Sequence, residues 1–125
     1  MSTFDRRYEI YSDAEEFLGE WIKYGRPDPG TLLLIIRAWN RSHFLSRPEV
    51  TDYLHTLWKD ALRANHLDQI IAGEVDGDRD KAVKEFYELF RKHVDYEKLR
   101  EVMTPDLRVS NHWRAQVRPR RSENG

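Results

Sequence analysis

The chain of 125 residues has room for one domain of ordinary size. It is 39% hydrophobic and 34% charged, and its 4 Trp, 6 Tyr and 5 Phe exclude a wholly disordered polyelectrolyte, because so many large rings require a packed core. The net charge of −1 speaks against a bulk nucleic-acid coat protein, and with no Cys a disulfide framework, a zinc ribbon and a thiol nucleophile are excluded. The longest apolar run, residues 32–36, is far short of the ~20 residues a membrane helix needs. No apolar stretch follows the N-terminal residues, so no secretory signal is expected. A soluble, cytoplasmic chain is the expectation.

Ser12 and Glu15 have the spacing of a capping box at the start of a first helix. Ala14, Phe17, Leu18, Trp21 and Ile22 continue it as one apolar stripe, and Gly25 ends it. Upstream, Phe4, Tyr8 and Ile10 alternate loosely, as do Leu107 and Val109 far along the chain, which allows one short terminal strand pair. The turn at residues 26–30 leads to Asp28 as an N-cap with Pro29 in the first helical position. A second helix then runs to about His43. Apolar residues cover most of its circumference, so it is expected to be the central, most buried helix. Its polar strip is Arg37 and Arg41, four apart and therefore side by side.

Ser46 and Glu49 form a second capping box ahead of Val50, Tyr53, Leu54, Leu57, Trp58, Ala61 and Leu62, the cleanest amphipathic stripe in the chain. A short helical piece, residues 67–72, ends at Gly73. Asp78 caps a helix that carries Ala82, Val83, Phe86, Leu89 and Phe90, and Asp95 caps a short one that stops before Thr104 and Pro105. The reading is an all-α, compact helical bundle of four longer and one or two short helices, with a flexible Arg-rich C-terminal tail. Residues 1–107 form a single α-helical domain and residues 108–125 the basic tail.

Charge is unevenly spread. Residues 1–25 are net −3, residues 26–47 net +3 and the last 22 residues net +3. Both positive segments use Arg alone, the side chain that grips phosphate or carboxylate bidentately and stacks on rings. The candidate nucleic-acid or anion-binding residues are Arg26, Arg37, Arg41, Arg47, Arg108, Trp113, Arg114, Arg118, Arg120 and Arg121. In the tail, Trp113 and His112 offer stacking faces among the arginines. Tyr24, Phe44 and Tyr96 fall at helix ends, where rings are harder to bury, and beside Arg26, Arg41 and Arg47 they have the composition of an interaction hot spot.

The segment Arg37-Ala-Trp-Asn-Arg-Ser-His43 resembles the HEPN family of metal-independent RNA-cleaving proteins, in which an Arg is followed by His after four to six residues late in a helix. The resemblance implies Arg37 as the stabiliser of phosphate charge and His43 as the proton-moving group. Ala38 departs from the polar residue that the family usually places after the Arg.

Asp76, Asp78 and Asp80 imitate the opening of a calcium loop, but Lys81 stands where the required Gly would be and Tyr87 where the bidentate Glu would be. No two histidines have the spacing that places two imidazoles on one helical face for a metal, and no phosphate loop or nucleophile elbow occurs. No metal or cofactor is expected. The function expected from sequence is a non-enzymatic helical interaction module, a small subunit or adaptor in a nucleoprotein or multiprotein assembly, contacting nucleic acid or another anionic partner through its Arg-rich surfaces. Two alternatives stand beside it: a HEPN-like ribonuclease using Arg37 and His43, and a small inhibitor or immunity-type protein acting through Asp13, Glu15, Glu16 and Glu20 of an acidic first helix.

Overall fold

The computed structural model describes the backbone of residues 3–117 and the side chains of residues 5–107. Five helices make up the fold: α1 (Thr3–Tyr24), α2 (Leu32–Leu45), α3 (Pro48–Ile71), α4 (Arg79–His93) and α5 (Tyr96–Val117), with a 3₁₀ turn, Pro29–Thr31, leading into α2. No strand occurs among the described residues, and both segments expected to pair as strands are helical.

The first helix starts nine residues ahead of Ser12, so the Ser12–Glu15 pair lies in its interior rather than at its cap. Tertiary packing explains the extension. Ile10 joins Ala14, Phe17, Leu18 and Trp21 in the buried core, so the stripe that looks complete from Ala14 onward begins a turn earlier. The helix closes at Gly25, whose φ of +75° is open to glycine without strain and whose N–H donates to the Trp21 carbonyl at 2.8 Å.

Asp28 caps the next element as its sequence suggests, accepting from the Gly30 N–H at 3.1 Å. The second helix is not the most buried one. It turns only Ile35, Ala38 and Ser42 fully inward, while Leu33 and Phe44 are exposed. The central place belongs to α3, which buries Val50, Tyr53, Leu54, Leu57, Ala61, Ala64 and Leu67. That stripe does not break after Leu62, because Ala64 and Leu67 carry it on, so the two expected pieces are one helix of 24 residues. The N-cap of α3 is Arg47, whose side chain makes no capping bond to the first turn, and the Ser46 hydroxyl is buried without a partner among the described residues; the expected capping box does not form. At the far end, Gly73 (φ +79°) and Glu74 donate to the Ile70 and Gln69 carbonyls in a Schellman closure.

Asp78 caps α4 through the Lys81 N–H, and the Asp95 carboxylate accepts from the Glu97 N–H at the head of α5. Just before α4, a Cβ on Gly77 would lie 2.8 Å from the Ile70 side chain, so any larger residue would have to displace Ile70 for this turn to close against α3. The last helix does not stop at Pro105. A proline there removes one N–H and crowds the carbonyl four residues back, at a cost of about 3 kcal/mol, which the anchors on either side outweigh. Those anchors are the buried Leu99, Met103 and Asp106, and the Thr104 hydroxyl donates to the Arg100 carbonyl. The helix thus enters the segment read as tail, and residues 118–125 lie outside the described residues.

Residues from α1, α2, α3 and α5 enclose the core, and α4 lies along α3 with Phe86, Leu89 and Phe90 packed against it. Arg47 locks the corner where α2 turns into α3. Its Nε donates to Asp106 Oδ1 at 2.8 Å and its Nη2 to the Val102 carbonyl at 2.6 Å, tying that corner to α5. Asp106 is buried and its other oxygen has no partner among the described residues, where this one guanidinium is what holds the carboxylate. Arg47→Ala should lower the unfolding free energy by about 3 kcal/mol, the upper end for an unmet buried acceptor and the lower end for a broken buried ion pair. Arg47→Lys should recover little of it, because one ammonium cannot reproduce the two-pronged contact. Urea unfolding checks this, and an unchanged midpoint for Arg47→Ala would refute it.

Candidate interaction surface

The arginines singled out between residues 26 and 47 all reach carboxylates of the same chain. Arg26 meets Asp68 at 3.1 Å across an exposed contact. Arg37 forms a bidentate pair with Asp13, Nε to Oδ2 at 3.0 Å and Nη2 to Oδ1 at 2.9 Å. Arg41 Nη1 donates to Glu9 at 3.1 Å, and Arg47 is held by Asp106. The four do not form one surface. Arg37 and Arg41 face α1, Arg26 faces the C-terminal half of α3, and Arg47 faces α5.

The acidic first helix is divided in the same way. Asp13 is buried under Arg37, and Glu15 accepts from the Tyr11 hydroxyl at 3.0 Å. Glu15, Glu16 and Glu20 line a groove with Ser12, Gly19, Tyr96 and Arg100. The side chains of Arg108, Trp113 and Arg114, on the last turns of α5, and the whole of Arg118, Arg120 and Arg121 lie outside the described residues.

Arg37 and His43 diverge. Six residues on a helix turn through about 600°, which leaves the two side chains roughly 120° apart. Arg37 therefore points to α1, whereas the His43 ring lies edge-on to Trp39 at 4.7 Å between centroids. Trp39 in turn stacks on His55 (5.6 Å, 27°) and meets Trp58 at 5.4 Å. Two indoles and two imidazoles thus line the outer seam between α2 and α3. Asp78, from the calcium-like run, is occupied as the α4 cap.

With α1 on one flank and α3 on the other, the third side of α2 is open. It carries Leu33, Asn40 and Phe44, which share a stripe at spacings of seven and four. Phe44 is 89% exposed and Leu33 73%. Beside Phe44 is a cavity of about 500 Å³ lined by Arg6, Glu9, Arg41, Phe44 and Leu45. The expectation of an exposed ring beside Arg41 is met here, and Tyr24 beside Arg26 gives a second case. These two share a cavity of about 290 Å³ with Gly25, Asp68, Phe86, Tyr87 and Phe90. Tyr96 instead packs half-buried against α1.

The chain matches no protein-family model, no curated protein and no solved structure. What the surface does must therefore be argued from its own chemistry.

Sequence reasoning missed Leu33, which sits in the apolar run of α2 with nothing to mark it as outward. It also missed a buried polar node under α4. His93 is buried, its Nε2 lies 2.6 Å from Asp60 Oδ2, and Lys92 donates to the same oxygen at 2.8 Å. The imidazole packs on Trp21 at 5.6 Å, and His93 Nδ1 and Trp21 Nε1 are both buried without partners. Burial pushes the His93 pKa below its ordinary value, and the neighbouring Asp60 only partly opposes this. Burial also pushes the Asp60 carboxyl up, but the hydrogen bonds from Lys92 and His93 more than reverse it, and its pKa is lowered.

The sign for His93 follows from linkage. Unfolded, the ring takes its proton at the ordinary histidine value of about 6.5; folded, it does so only at lower pH. Its contribution to stability is therefore complete above about pH 6.5 and is lost as pH falls from there through the folded pKa. The melting temperature should drop between pH 7.5 and pH 5, and His93→Gln should flatten that dependence. Thermal melts across the range test this, and an equally steep dependence in the variant would remove His93 as the cause.

Proposed function

We propose that this chain is a helical interaction module, a small subunit or adaptor, which docks a protein partner through the open side of α2. The observation that carries the reading is the exposure of Phe44 and Leu33 on one stripe of an otherwise well-packed helix. They stand eleven residues apart, about 16 Å along the axis, which is a span suited to two anchor points of one partner. A large ring at 89% exposure gains nothing for the isolated fold, and burying it against a partner removes most of its apolar area from water. The arginines around it fit a hot-spot composition. Against catalysis by Arg37 and His43 within one chain stand their divergence by roughly 120° and the double contact of Arg37 with Asp13.

The test is a photoreactive benzoylphenylalanine in place of Phe44 in the full chain, expressed in the source cell, with the same residue in place of Glu88 on the exposed side of α4 as the control. A discrete protein adduct from position 44, absent from position 88, is the expected result. Adducts at both positions alike, or to nucleic acid only, would overturn the reading. Phe44→Ser should leave stability within about 0.5 kcal/mol, as for an exposed site, which separates a binding role from a structural one.

A further inference from the structure

We infer that the segment docking beside Phe44 is acidic: a stretch of a partner protein with one apolar anchor flanked by carboxylates, which pair with Arg6 and Arg41. This rests on the reading of α2 as a docking surface and adds the chemistry of what docks there.

The cations around the cavity differ in how far they are already paired. Arg37, one turn away, is spent: two of its nitrogens are fixed to a nearly buried Asp13. Arg41 differs. It makes a single contact to Glu9, both side chains are 39% exposed, and it lines the cavity with no further ion pair or side-chain hydrogen bond among the described residues. Arg6, on the same rim, is exposed and makes no ion pair or side-chain hydrogen bond among the described residues. The nearby Arg7 is committed to the Leu45 carbonyl at 2.8 Å, where it closes the end of α2. The lining therefore holds two guanidiniums against one carboxylate, next to an exposed phenyl ring and the half-buried Leu45. A carboxylate is the complement of the first pair and an aliphatic or aromatic side chain that of the second.

Charge also discriminates between occupants. A second copy of this chain with its twofold axis through this patch would set the arginines against themselves, and one Glu9 per copy cannot neutralise two arginines. A nucleic-acid strand needs a continuous positive track. Here the lining holds two guanidiniums interrupted by Glu9, and the neighbouring Arg7 is half-buried with its Nε turned to the Leu45 carbonyl, so no continuous track forms. A short acidic segment with an apolar anchor fits a patch of that size.

The experiment is to pan a displayed library of random peptides against the full chain and to synthesise the consensus. Enriched peptides should carry a large aliphatic or aromatic residue within about four positions of two or more Asp or Glu, one helical turn being the reach of the patch. The consensus peptide should bind at least tenfold more weakly to Arg6→Glu and to Phe44→Ser, with both variants melting like the parent. Lys84→Glu, a charge change of the same size on the exposed side of α4, should bind like the parent. No enrichment, a neutral or basic consensus, or equal binding by Arg6→Glu would overturn the inference. So would displacement of the peptide from the cavity by a single-stranded uridylate 12-mer at the same concentration. A protein adduct at position 44 together with any of these failures would refute only the acidic chemistry, whereas loss of the adduct as well would refute the surface itself.

Discussion

Guanidinium–carboxylate pairing between α1 and α2 is the constraint on which the arrangement turns. Glu9 and Asp13 are four apart on one helix, and Arg41 and Arg37 four apart on the other, so antiparallel packing joins them as two successive rungs. The rungs fix the register at which α1 and α2 bring Ile10, Ala14, Phe17, Leu18, Ile35 and Ala38 into one core, and a one-turn slip would separate Asp13 from its partner. Asp13 is buried and Arg37 half exposed, so the inner rung is the one whose loss is felt. Apolar burial supplies the driving force, and the ion pairs select among packings of similar burial.

That pairing also changes how the charge asymmetry of the chain is understood. The positive stretch of residues 26–47 and the negative stretch of residues 1–25 look in sequence like two surfaces for two kinds of partner. Folded, two of the four arginines meet that negative stretch, Arg37 at Asp13 and Arg41 at Glu9, while Arg26 and Arg47 are taken up by Asp68 and Asp106 elsewhere in the chain. What remains for outside contact is the residue of that cancellation: Arg6, the free side of Arg41, and Glu15, Glu16 and Glu20 on the α5 flank. A charge count along a sequence measures supply, and only the fold shows how much is consumed internally.

Local signals were legible wherever one residue type has one physical reason to be there. Asp28, Asp78 and Asp95 cap because a short carboxylate reaches a free N–H, and Gly25 and Gly73 close helices because their φ is positive. The failures share a different cause. Ser12 and Glu15 have capping spacing, but Ile10 buries upstream of them and draws the helix past that point. Pro105 looks like a stop, but Met103 and Asp106 hold the helix on both sides of it. In both places distant contacts outweigh a local preference of about a kilocalorie or a few. For the candidate site, Phe44 beside Arg41 could be read in advance from its place at a helix end. Leu33 could not, because an apolar run has no mark for the side that a bundle leaves uncovered. His93 was hidden for the converse reason, since a histidine in a helix-terminal basic cluster reads as solvated.

The seam of rings between α2 and α3 gives the molecule an optical signature of its own. Trp39 and Trp58 lie 5.4 Å apart with planes inclined at 41°, neither parallel nor perpendicular. Indole transitions so close and so oriented couple, and the coupled pair is chiral. The far-ultraviolet dichroism of this chain is therefore a sum of helix and indole-pair contributions, and helix content read from a single wavelength will be biased. The same coupling follows the contact between two specific helices, so it can separate the parting of α2 from α3 from the melting of the helices themselves.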